Sequence, residues 1–158
     1  MTRTRRKPPW YQHFPTRLRF EREARAAYPH ISMREVGARK RSEVAYGLKI
    51  PVPEYEDRSI ELVFPRMIAR PEFTRVYADG PTESPHRYRA SERDKQGRSS
   101  LCIWDPDDPP ELRWVPEDGL LSLIEMTRLH LFKEAYWRET GDWPGAEAPH
   151  PTAEPKPC

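Results

Sequence analysis

Two runs of strict alternation constrain this chain most. Val44, Tyr46, Leu48 and Ile50 recur at every second residue, and Ile60, Leu62 and Phe64 do so again. A period of two sends successive side chains to opposite faces, so each run predicts a strand with one buried face. A third run, EFTRVYA, is shorter and stops at the turn signal Asp79-Gly80-Pro81. The links PEYED and PRMIARP are short. Parallel neighbours need a crossover of a dozen residues or more, so these strands are expected to form an antiparallel meander.

Helical patterns flank the strands. In TRLRFEREARAAYP, Thr16 is a candidate cap, and Phe20, Ala24, Ala27 and Ile31 fall at spacings of four, three and four before Pro29 ends the run. Arg17, Arg19, Glu21, Arg22 and Arg25 form the opposite, polar side. The longer helix is LLSLIEMTRLHLFKEAYWRE, with a start signal at Pro116 and Asp118 and a stop at Thr140-Gly141. Leu120, Ile124, Leu131 and Ala135 define its apolar face, widened by Leu121, Met126, Leu129, Phe132 and Tyr136. Between strands and helix lie a polar loop over 81–100, a short strand end LCIW and a second loop, DPDDPPE. The pattern predicts an α+β fold: an N-terminal helix, an antiparallel meander of three or four strands, and a long C-terminal helix. Residues 1–14 read as an irregular basic arm, 15–145 as one domain and 146–158 as a proline-rich tail in which Trp143, just upstream, packs down.

Composition narrows the function classes. The chain has 158 residues, enough for one domain with a real core, and 19 prolines against 7 glycines restrict where helices can run. No apolar run approaches the roughly 20 residues of a membrane span, and the basic N-terminus has no apolar segment of a secretory leader. The net charge of +2 is carried by MTRTRRK, which holds +4 and leaves −2 for residues 8–158. A nucleic-acid interface is therefore not expected on the folded part. There is no G-x-G-x-x-G, no Walker loop and no Cys/His set with zinc spacing, so no cofactor and no metal site are expected.

The chemistry-bearing residue is Cys102. It ends the long polar loop between Leu101 and Ile103, with His86 sixteen residues upstream. The other cysteine, Cys158, closes the chain, and two such cysteines make no disulfide framework. A thiol reacts as thiolate, and a few per cent thiolate at neutral pH suffices for acyl exchange between sulfurs. Such a site needs a firm backbone, an accessible sulfur and donors for a transient oxyanion. Leu101 and Ile103 can anchor the strand while Cys102 faces the other way, and His86 or a loop amide can supply the donor. The plain alternative makes Cys102 a small buried residue and His86 a surface loop residue. His13, His30, His130 and His150 have weaker claims, and His130 is expected at the boundary of the long helix.

The segment VYADGPTESPHRY, the polar loop, GRSSLCIW, a tryptophan and then a long helix together resemble the core of a ubiquitin-conjugating enzyme. In that family a helix precedes a four-stranded antiparallel meander, and a His-Pro-Asn stretch leads to a cysteine that takes the modifier as a thioester. Pro85-His86-Arg87-Tyr88 occupies that stretch here without the triplet, so His86 or Arg87 stands at the place of the asparagine. The resemblance is closer to the bacterial subfamily found in CBASS antiphage operons, through the LC motif, the compact long helix and the signature YWRETGDWPGAEAPH. It implies a cytoplasmic ubiquitin-conjugating-like acyltransferase. Cys102 would capture the C-terminus of a cGAS-like nucleotidyltransferase and pass it to an amine, with His86 supporting the oxyanion or moving a proton. Trp104 and Asp105 would shape the acceptor's approach. It also implies either a donor that arrives activated or a separate activating enzyme, because the chain has no room for an adenylating domain. The rival readings are a non-catalytic module of the same fold that grips and regulates the nucleotidyltransferase, a nucleic-acid binder acting through MTRTRRK, and a cysteine hydrolase.

Overall fold

The computed structural model describes residues 7–38, 41–88, 96–105 and 107–145. The basic residues of 1–6, His150, Cys158 and the tail from 146 lie outside the described residues. The expected α+β arrangement is present. A helix, α1 (Phe14–Ala27), precedes four strands, β1 (Ser32–Val36), β2 (Glu43–Ile50), β3 (Arg58–Phe64) and β4 (Arg75–Ala78), and a long helix, α2 (Gly119–Thr140), comes last. The strands form one sheet in the order β1-β2-β3-β4, every pair antiparallel.

The two alternating runs do what their period requires. Val44, Tyr46, Leu48 and Ile50 of β2 and Ile60, Leu62 and Phe64 of β3 turn one face toward the helices. There they meet Phe20 and Ala24 of α1 and Leu120, Leu123, Ile124 and Leu131 of α2. Trp114 closes this core with 1 % exposure, its indole N–H donating to Gly119 O at 2.9 Å. Phe20, Phe64 and Trp114 meet pairwise at ring separations of 5.2 to 6.2 Å. On the opposite face of the sheet, Ala45, Val63 and Tyr77 form a second, smaller buried cluster.

Some expectations need correction. The first helix begins at Phe14, inside the stretch expected to be irregular, and Pro15 lies in its opening turn, where a missing N–H costs nothing. His13, not Thr16, is the cap, its Nδ1 accepting from Thr16 N–H at 3.4 Å. Trp10 and Tyr11, assigned to an irregular arm, form a 3-10 turn and are buried, the Trp10 indole donating to Pro65 O at 3.0 Å. Ile31 is buried as expected but follows the helix, which stops at Ala27. Leu129 is 55 % exposed. At 100° per residue it sits about 200° round α2 from Leu131, on the far side.

The fourth strand is β1, whose mixed exposure explains why no alternation announced it. LCIW contributes an isolated antiparallel bridge, Arg87↔Leu101, rather than a strand of the sheet. Among the described residues no helix is long and apolar enough to cross a membrane.

Candidate thiol site at the edge of the sheet

Cys102 sits on a backbone that is tied down at Ser100, at Leu101 and through its own N–H. Leu101 N–H donates to Val76 O at 2.8 Å, fastening the segment to the free edge of β4. Cys102 N–H donates to His86 O at 3.0 Å, and Tyr88 N–H to Ser100 O at 2.9 Å. These two bonds flank the Arg87↔Leu101 bridge, so residues 86–88 and 100–102 form a short antiparallel ribbon. Its register sets His86 opposite Cys102. Side chains alternate along a ribbon, so this pair shares the face opposite to that of Arg87 and Leu101. Leu101 is 4 % exposed and belongs to the core, whereas Cys102 is half-buried.

The approach to the cysteine is fastened on the other side of the sheet. Arg98 lies 4.0 Å over the Tyr77 ring and donates to Glu61 at 3.1 Å. Arg34 of β1 donates to the second Glu61 oxygen at 2.6 Å. Burial works against the Glu61 charge, but the two arginines outweigh it and keep its carboxyl below the ordinary range.

Arg87 has a different destination from His86. Its Nε and Nη2 donate to the two oxygens of Glu134 at 2.9 and 2.8 Å, a two-pronged pair with side-chain exposures of 5 % and 0 %. Arg87 also donates to Pro81 O at 3.1 Å. His130 Nε2 lies 3.1 Å from Glu134 Oε1, and Arg138 Nη1 lies 3.4 Å from Oε2 while donating to Glu83 O at 3.0 Å. Burial alone would raise the Glu134 pKa. The hydrogen bonds and charges of His130 and Arg87 reverse that and hold it at about 2. One buried carboxylate thus pins loop 81–88 onto α2. Arg87 is committed to that pin, which leaves His86 as the side chain of the stretch that shares Cys102's face.

Trp143 completes the site. Gly141, with φ +83, ends α2 in the left-handed conformation, its N–H donating to Trp137 O at 2.8 Å. The chain turns back there, as the sequence stop signal requires. Trp143 then packs its ring 4.2 Å from that of His86 and 5.5 Å from that of His130. The expectation that this tryptophan packs down holds, and it does so beside the candidate site. His130 is not a boundary residue but is 6 % exposed and bonded to Glu134.

The remaining candidates separate from the thiol. Asp105 Oδ1 accepts from Asp107 N–H at 2.8 Å, which turns that carboxylate into its own loop. Trp104 stacks toward Trp114 at 6.2 Å. Among the described residues, no group of three or more His, Cys, Asp or Glu side chains could hold a metal. Sequence reasoning missed Glu134, although its signal was present: a carboxylate on the apolar face, with His130 four residues before it and Arg138 four after. What no spacing could show is that the third partner of Glu134, Arg87, arrives from a distant loop. The chain matches no known family model and no curated protein.

Proposed function

We propose that this chain is a ubiquitin-conjugating-like acyltransferase of bacterial antiphage defence, of the standalone CBASS kind, acting in the cytoplasm through Cys102. The observation that carries the reading is the mounting of Cys102. It occupies a half-buried position on a ribbon fastened to β4 and to His86, in a chain that runs helix, antiparallel meander, thiol and long helix. A nucleophile of this type needs little beyond a fixed backbone, a reachable sulfur and nearby donors, because acyl exchange between sulfurs is close to balanced in energy.

In the proposed reaction the Cys102 thiolate attacks the activated C-terminal carbonyl of a cGAS-like nucleotidyltransferase. That donor arrives as a thioester or an acyl adenylate made by a separate activating enzyme. A new S–C bond forms and the donor's thiolate or AMP leaves, while the proton that Cys102 lost on ionising goes to solvent or to the leaving group. An amine of the acceptor then attacks the thioester carbonyl, the acyl C–S bond breaks as the amide forms, and the amine's proton goes to the released Cys102 thiolate. His86 is the side chain assigned to steady the oxyanion or relay the proton, a role that contributes about 10² in rate for a single donor.

Co-expression with the nucleotidyltransferase, read by intact mass and non-reducing gels, tests this. Wild type is expected to carry an adduct that thiols remove, Cys102→Ser an ester that thiols leave intact, and Cys102→Ala none. Copurification of the two proteins with no adduct in any version would replace this reading with the binding module.

A further inference from the structure

A cleft of about 200 Å³ opens between the start of β4 and the segment around residue 102. Val76, Leu101, Ile103 and Trp104 form its apolar walls. Cys102 does not line it, because Leu101 and Ile103 turn toward the cleft the face opposite the sulfur. A guest here is therefore independent of the thioester reading. The volume suits one side chain rather than a small-molecule ligand, whose pockets run from about 300 Å³ upward.

The polar part of the wall holds two atoms that the fold leaves unused. Thr74 Oγ1 and Arg75 Nε are shut off from solvent, and neither has a hydrogen-bond partner among the described residues. A buried donor in this state has given up its water and received no bond in return, so an acceptor placed beside it recovers free energy that folding cost. Thr74 and Arg75 are only half-buried as whole residues, which leaves both side chains room to turn these atoms toward a guest.

The charges decide what kind of acceptor fits. Arg75 Nη2 already meets Glu43 at 2.7 Å, and Glu72, which also lines the cleft, is paired with Arg70. These four charges cancel, so a carboxylate guest would add one that lacks a counter-ion. A purely aliphatic guest would leave both donors unpaired. A primary carboxamide answers both conditions. Its oxygen accepts from Arg75 Nε–H, its NH₂ donates to the Thr74 hydroxyl or the Glu72 carboxylate, and its methylene stem lies on the apolar walls.

We infer that this cleft is a binding site for the carboxamide side chain of a glutamine or asparagine on a protein partner. Blocked Gly-X-Gly tripeptides with X as Gln, Asn, Glu or Leu, titrated into the ¹⁵N-labelled protein, test this. The Gln or Asn peptide is expected to shift the amides of Val76 and Ile103 and the Trp104 indole N–H saturably, about tenfold more tightly than the Glu and Leu peptides. Thr74→Val removes the hydroxyl at nearly constant shape, and Arg75→Lys removes Nε–H while keeping a cation for Glu43. Each is expected to weaken the favoured peptide roughly tenfold. The urea midpoint of Thr74→Val is expected to match or exceed that of wild type, because the hydroxyl has no bond to lose. A lowered midpoint with unchanged peptide affinity would show that the hydroxyl serves the fold, and would overturn the inference. So would a Leu peptide that binds as tightly as Gln, a Glu peptide that binds more tightly, or no saturable shift with any peptide, which would leave the cleft to water.

Discussion

A carboxylate with no exposed surface keeps its charge at position 134 because two guanidinium groups, Arg87 and Arg138, and the His130 ring converge on it. Two outcomes follow for stability. Glu134→Gln leaves the Arg87 guanidinium buried without its counter-charge, and urea denaturation is expected to show a loss of about 3–5 kcal/mol. Replacing both partners, as Arg87→Met with Glu134→Leu, is expected to cost much less. The pH dependence has a definite sign. The carboxyl titrates at about 2 when folded against an ordinary value of 4.5, so the unfolded chain binds its proton first. The stabilisation is complete above about pH 4.5 and disappears as pH falls toward 2. It is on the order of 3 kcal/mol, and the Glu134→Gln protein lacks that part of the acid transition.

Through Trp143, which bridges the rings of His86 and His130, the same network reaches the residue paired with Cys102 on the ribbon. Trp143→Ala is expected to slow loading of Cys102 roughly tenfold with little change in apparent donor affinity, while Trp143→Phe retains most of the rate. An equal loss of donor affinity, or no rescue by Phe, would mean that the tryptophan only holds the end of α2. Position 102 could be singled out from sequence because a cysteine between two apolar residues ends a polar loop. Arg87 could not be distinguished from His86, because their opposite directions depend on the ribbon register and on a carboxylate 47 residues away.

Among the elements, β2, β3 and α2 announced themselves because each buries one face against a single core, which writes a clean period into the sequence. Strand β1 buries little and so carries no period. What fixes it is its pairing with β2, Met33 opposite Tyr46, and the turn that begins at Gly37. Gly37 has φ +83, and a Cβ there would lie 2.6 Å from Arg41 O. Gly37→Ala is therefore expected to destabilise the protein by more than 1 kcal/mol, read as a lower urea midpoint with unchanged slope. Helix α1 was legible in its middle and misread at both ends. Its cap is a histidine, outside the usual Ser, Thr, Asp and Asn set, and Pro15 looks like a breaker unless the helix start is already known. A buried Glu21 also hid there among arginines. It accepts from Tyr46 OH at 2.7 Å, and burial together with that bond drives the tyrosine's pKa far upward.

At the scale of the whole molecule, the order helix, meander, loop and helix was readable because the links between strands are short and the strands follow one another in space as in sequence. The placement of the thiol was not, since it depends on β4 offering its outer edge to Leu101 and on α2 anchoring loop 81–88. The account's central claim is that Cys102 becomes acylated by the C-terminus of a partner nucleotidyltransferase. The most direct measurement is peptide mapping by tandem mass spectrometry of the co-expressed wild-type complex, digested at low pH without reductant. The account predicts a peptide containing Cys102 joined through sulfur to the terminal residue of the nucleotidyltransferase. Recovery of that Cys102 peptide solely as the unmodified thiol, alongside an intact nucleotidyltransferase C-terminus, would contradict it.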